Sequence, residues 1–298
     1  MNDTKRIFKV LNTLIIILTL AVTICGVISF NTAQSYDAIN QYGESIRMWG
    51  AGIYTRDSYF KAPIFIGSDF TILVCILPLA VVTFMKTNKN QNVENCIRSF
   101  GVLSLMLYYS ASLAFGVTYN RLHLIYIALF SLCFFCVALM LAKLHTVEVR
   151  KDNVCSYPFT KGMKAFLLIA GISLFVAWLP DIIPSIIRGT SLELIEVYTT
   201  EITYVFDMGI VSPIMFLTYY LIKHKNFIGY VLLRMIFMVC KGVGIMLPVQ
   251  AVFQLLAGIP IPIPALITKV LIFVMLAVFA AFFEFRLKQE TEYAESVI

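Results

Sequence analysis

Residues 63–85 read PIFIGSDFTILVCILPLAVVTFM, and this stretch decides the fold class. It holds one ionisable side chain, Asp69, in a run of the ~20 residues that a helix needs to cross hydrocarbon. The run shows no alternation of apolar and polar residues and is too long for a barrel strand. A helix is then the way its backbone can be satisfied in lipid. The pattern recurs at 10–30, 99–118, 123–142, 165–187, 203–222, 227–248 and 264–285. Sixty per cent of residues are hydrophobic and 13% charged, where a soluble domain carries about 25% charged residues. The expectation is an all-α, polytopic transmembrane bundle of eight spans. It forms a single integral membrane domain over residues 1–298, with no internal linker or low-complexity tract.

The first span follows Lys5, Arg6 and Lys9, as a signal peptide would. Its apolar run from Val10 to Phe30 exceeds the ~7–15 residues of a signal core, and no small-residue cleavage site follows, so it reads as a permanent helix. With the N-terminus in the cytoplasm, inner segments hold Lys5, Arg6, Lys9, Lys86, Lys89, Arg98, Lys143, Arg150, Lys151, Lys161, Lys164, Lys223, Lys225, Arg286 and Lys288. Outer segments hold Arg47, Arg56, Lys61, Arg121 and Arg188. That bias places both termini in the cytoplasm. The net charge of +6 then describes an inner rim facing anionic lipid. The lipid bilayer is the expected partner, and nucleic acid is not.

Cys133 and Cys136 spell C-x-x-C, but well inside the fourth span, where no helix terminus or strand activates a thiolate. They read as packing, and the seven cysteines give no disulfide framework. The outer segment 31–62 carries Trp49, Tyr54, Tyr59 and Phe60. It suits an interfacial helix, a lid over an outward-facing cavity, or a loop resting on the headgroups. Residues 143–164 form a basic cytoplasmic connector. His123, His145 and His224 are too scattered to share a metal. No zinc-protease, phosphate-loop, nucleophile-elbow or dinucleotide pattern occurs, so no cofactor is expected.

Charge inside hydrocarbon costs at least ~2.5–3.5 kcal/mol per residue on insertion scales, and it marks pathways or pairs. Asp69, Asp181, Asp207 and Lys241 are the cases here. Asp207 lies seventeen residues before His224 in the turn between the sixth and seventh spans, and Lys241 seventeen after it. At ~1.5 Å per residue the two share a depth, so a direct or water-bridged pair is expected where their faces meet. Asp181 is seventeen beyond Lys164, and Asp69 seventeen before Lys86, which puts all four in the outer half. Pro180 and Pro184 flank Asp181 beside Trp178. Gly209, Ser212 and Pro213 follow Asp207, and Gly242, Gly244 and Pro248 follow Lys241. Broken helices beside intramembrane charge are the pattern of carrier sites, and equally of a buried pair that fixes register. Tyr108, Tyr109, Tyr119 and Asn120 offer hydrogen bonds to an outer cavity, or simply pack. Four spans per half give both halves one orientation. Asp69 then corresponds to Asp207, each followed by a proline (Pro78, Pro213) and a basic end (Lys86, Lys223).

Several patches occur in fixed order. They are Gly67 to Val74 running to Pro78-Leu79, Tyr108-Tyr109 through Gly116 and Asn120 to Leu132, Trp178 to Pro184, Thr199 to Pro213, Gly229-Tyr230 and Lys241-Gly242. Together they resemble a family of bacterial multi-spanning membrane proteins with no assigned activity. The resemblance implies a bacterial plasma-membrane protein and no particular chemistry. Three functions fit the residues. One is secondary transport of a small polar or charged solute, or a proton, at the outer-half charges. Another is an embedded enzyme acting on a lipid-linked or periplasmic substrate. The third is a sensor or assembly subunit.

Overall fold

The computed structural model describes residues 2–150, 159–261, 264 and 270–297 of the 298-residue chain. The expected helices are present. Helix α1 spans Asn2–Ile28, and α2 (Ala62–Thr71) continues through a π-helical turn, Ile72–Ile76, into α3 (Leu77–Lys89). Helices α4 (Val93–Gly116), α5 (His123–Arg150) and α6 (Lys161–Val176) follow, then α7 (Leu179–Arg188). Short α8 (Ile202–Phe206) leads through a second π turn, Asp207–Val211, into α9 (Ser212–Lys223). Helices α10 (Phe227–Leu256) and α11 (Ile272–Val297) complete the bundle. Among the described residues, seven helical stretches are long and apolar enough to cross a membrane. The start of the expected eighth span, 264–285, falls largely outside the described residues; its remainder is α11. Residues 151–158 of the basic connector also lie outside them.

Local chemistry sets the helix starts. Asn92, Thr160 and Asn226 each turn a side-chain oxygen onto a first-turn N–H of α4, α6 and α10, at 2.9, 3.2 and 2.7 Å. The two π turns have a common cause. Pro78 and Pro213 are each the second residue of the helix that follows and have no N–H to give. The preceding turn widens, so that Leu77 donates to the carbonyl of Ile72 and Ser212 to that of Asp207, five residues back. The symmetry expected from the two prolines therefore has a backbone counterpart. Aligning the widened turns matches Ile72, rather than Asp69, with Asp207. The fifth span is also interrupted, at Ala177-Trp178, with Pro180 opening α7.

Packing repeats the symmetry. In the first half α1, α2–α3, α4 and α5 form a closed ring of neighbours, and in the second half α6, α9, α10 and α11 do the same. Helix α10 joins the halves by packing on α2 and α4 as well as on α9 and α11. Glycines allow the approach: a Cβ on Gly67 would lie 2.7 Å from the Gln250 Cα, and one on Gly244 would lie 2.2 Å from the Ala277 Cβ. Outward faces carry Ile17, Phe135, Ile169, Val252 and Phe279, an apolar belt suited to lipid.

Residues 31–61 depart from an all-helical reading. They fold as a two-stranded antiparallel hairpin, β1 (Tyr36–Ile39) on β2 (Ser45–Met48), and then fill the end of the bundle. Trp49 and Tyr54 are fully buried, and the Trp49 indole donates to the Ser29 carbonyl at 2.8 Å. The aromatics expected at the headgroups thus form the core of a cap. The hairpin is tied to the 189–201 loop, with Asn40 donating to the Glu196 carbonyl and Gln41 to that of Tyr198.

Gly67→Ala is expected to lower unfolding stability by ~1–3 kcal/mol, since the added methyl meets backbone rather than a movable side chain. Gly209→Ala, with nothing within 4 Å of the new atom, is expected to be far milder. Thermal unfolding in detergent compares the two.

Candidate functional site

Two carboxylates are buried in the cap half of the bundle, and α4 stands between them. Asp69 is wholly inaccessible. Tyr54 of the cap donates to its Oδ2 and Tyr109 of α4 to its Oδ1, each at 2.5 Å. Helix α1 makes room for it with Gly26, where a Cβ would fall 1.6 Å from the Asp69 Oδ2. This carboxylate is held by phenols and is sealed under the cap.

Asp207 opens the second widened turn and is also buried. The Trp178 indole donates to its Oδ2 at 3.1 Å, and Tyr108, next to Tyr109 on α4, donates to its Oδ1 at 3.4 Å. The break between α6 and α7 places Trp178 there. Its ring stacks on Tyr204 at 4.6 Å, and the Tyr204 hydroxyl donates to Asp181 at 2.7 Å. Asp181, Tyr204, Trp178, Asp207 and Tyr108 thus form one contiguous polar cluster. Asp207 borders a small cavity of about 20 Å³, otherwise lined mainly by Leu174, Cys240, Val243 and Phe273. That is space for a single water molecule. Among the described residues neither Asp69 nor Asp207 has a basic partner.

Lys241 is not that partner. Its ammonium pairs with Glu284 of α11. Glu284 also lies 3.6 Å from the Nε of Arg234, which in turn forks onto Glu94 through bonds of 2.8 and 3.2 Å. Arg98 joins Glu94 at 2.7 Å. The equal depth expected for Asp207 and Lys241 is consistent with Cys240, the neighbour of Lys241, lining the Asp207 cavity. The expected ion pair is absent because Lys241 points across α10 to α11, while Asp207 points to Trp178 and α4. Arg234 and Lys241, seven residues apart, fall on one face of α10, and Glu284 sits between them in level. That spacing was the readable signal for this ladder.

The remaining expected residues serve the frame. Asn120 accepts the Leu122 N–H at 2.8 Å and donates to Tyr126 at 3.3 Å, shaping the α4–α5 turn. Tyr119 is exposed and packs against His123. Pro180 and Pro184 lie in α7, while Gly209 and Pro213 lie in and just after the second widened turn. Cys133 and Cys136 are buried free thiols.

Above Asp69 the cap is latched to the second half. Asp57 accepts from the Thr118 N–H and the Tyr198 hydroxyl, both at 3.0 Å, while its other oxygen has no hydrogen-bond partner among the described residues. Ser58 bonds Glu196, and Lys61 pairs with Glu201 and lies 4.3 Å from the centre of the Tyr198 ring. Burial pushes the Asp57 carboxyl up to about 7, against the opposing hydrogen bonds from Thr118 and Tyr198. No family model, curated protein or solved structure matches the chain.

Two outcomes follow from this geometry. In double-mutant cycles, Lys241→Met with Glu284→Gln should show an interaction energy of ~0.5–3 kcal/mol, whereas Lys241→Met with Asp207→Asn should be close to additive. The second concerns Asp57, whose folded-state affinity for a proton exceeds that of the unfolded chain. Its stabilising contribution is fully present below about pH 4 and is lost as the pH rises through about 7. Burial raises Glu196 as well, with the same sign. Melting temperature measured against pH should fall through this window, and less steeply in Asp57→Asn.

Proposed function

We propose that the protein is a multi-pass carrier of the bacterial plasma membrane. It handles a small polar or charged solute, or a proton, at Asp207. The observation that carries the reading is a buried carboxylate held only by neutral donors, at the rim of a cavity and on a widened helical turn. Burying a carboxylate without a counter-charge costs several kcal/mol, and a bound proton or cationic group supplies what the described protein groups do not. Intramembrane carboxylates of this kind mark relays and substrate pathways, and widened turns concentrate at functional sites.

Asp69 has the complementary role: sealed from the cavity, it fastens the cap to α1 and α4. Asp181 and Tyr204 line the cap-side approach, and Lys241 belongs to the charged ladder that holds α10 on α11 and α4. The excess of Lys and Arg at the end opposite the cap supports an orientation with the cap outside and both termini in the cytoplasm. The resemblance to bacterial multi-spanning proteins supports the membrane assigned.

Purified protein in liposomes enclosing a pH-sensitive dye, given a pH gradient and a panel of small polar solutes, tests the carrier. Gradient-driven flux is expected in the wild type and should fall to the level of empty vesicles in Asp207→Asn. Asp69→Asn should chiefly lower thermal stability. Undiminished flux in Asp207→Asn, or no flux in the wild type, would sink the reading.

A further inference from the structure

We infer that the ion exchanged at Asp207 is a proton and not a metal cation. The inference deepens the carrier reading and rests on it for its use, while its chemistry is tested separately below.

The Trp178 indole that holds one carboxylate oxygen is a donor only and has no lone pair for a metal. Among the described residues, the Tyr108 hydroxyl is the other side-chain oxygen at the cavity, whose remaining described lining is aliphatic, aromatic or thiol. Pro213 donates no hydrogen bond, which frees a carbonyl of the widened turn. Carboxylate, phenol, one carbonyl and one water still fall short of the ~6 oxygens that a hard cation gathers. The cavity, of about 20 Å³, holds on the order of one ordered water. A proton needs a single oxygen and occupies no volume.

The carboxyl group of Asp207 releases its proton to a water in the cavity, which carries it away as hydronium. Asp207, now anionic, takes its next proton from the cap side, where Tyr204 and Asp181 adjoin Trp178. Each transfer moves one proton and one positive charge, and no other species is consumed.

Infrared difference spectroscopy of the purified protein through a pH titration reads this without transport. Among the protonated-carboxyl bands, which include those of Asp57 and Glu196, one should titrate in the wild type, vanish in Asp207→Asn and return, displaced, in Asp207→Glu. Its midpoint should not move with added lithium, sodium or potassium. A midpoint that falls as sodium rises shows competition by the metal and overturns the inference, as does a set of titrating bands identical in the wild type and in an Asp207→Asn protein that still melts cooperatively. Sodium-dependent flux in liposomes with no band lost in Asp207→Asn would leave the carrier standing and remove the proton. A titrating band with no flux of any kind would do the reverse.

Discussion

Helices in lipid gain nothing from hiding apolar surface from one another, so they associate where backbones can come close and where polar groups find partners. Helix α10 meets both conditions. Gly67 on α2 and Gly101 on α4 let these helices approach it, and its own Gly242 and Gly244 admit Leu105 and α11. Farther along, Arg234 and Lys241 fasten it to Glu94 of α4 and Glu284 of α11. With the cap latch and the bond from Tyr108 to Asp207 as further ties, the two rings of helices are joined chiefly through this member. The cavity lies beside it, bordered by Cys240 and Val243, where Asp207 faces apolar side chains.

The apolar spans and the shared level of Asp207 and Lys241 along their helices were legible because each depends on distance along the chain. The turn at His224 does make Asp207 and Lys241 level. It says nothing of the direction in which each side chain points around its helix, and direction decides pairing. The ladder has the converse history. Glu284 lies beside the charged terminal run of α11, which hid it among rim residues, and Glu94 opens α4. Their partnership with Arg234 and Lys241 arises from tertiary packing, with the seven-residue repeat on α10 as its local trace.

The cap was the least legible element. Trp49 and Tyr54 have the composition of residues at a headgroup interface, and burial or exposure there depends on what lies beneath them. The Ser29 carbonyl and the Asp69 carboxylate receive them, and neither is predictable from a local window. The repeat was readable through its prolines, because a missing N–H changes the backbone of any helix that contains it. The true correspondence, Ile72 with Asp207, shows that the halves share a backbone device while their acids differ in setting. Asp69 has become a closed anchor, and Asp207 faces a space.

Tyr108 and Tyr109 are consecutive residues on one helix, so their side chains diverge by about 100°. One reaches Asp207 and the other Asp69. The 3.4 Å bond to Asp207 is slack beside the 2.5 Å bond to Asp69, and α4 acts as a lever with unequal grips. A small roll of α4 that tightens the loose grip must strain the firm one. Through Tyr54 and Asp69, the tension at the lever's fixed end is the tension that keeps the cap seated.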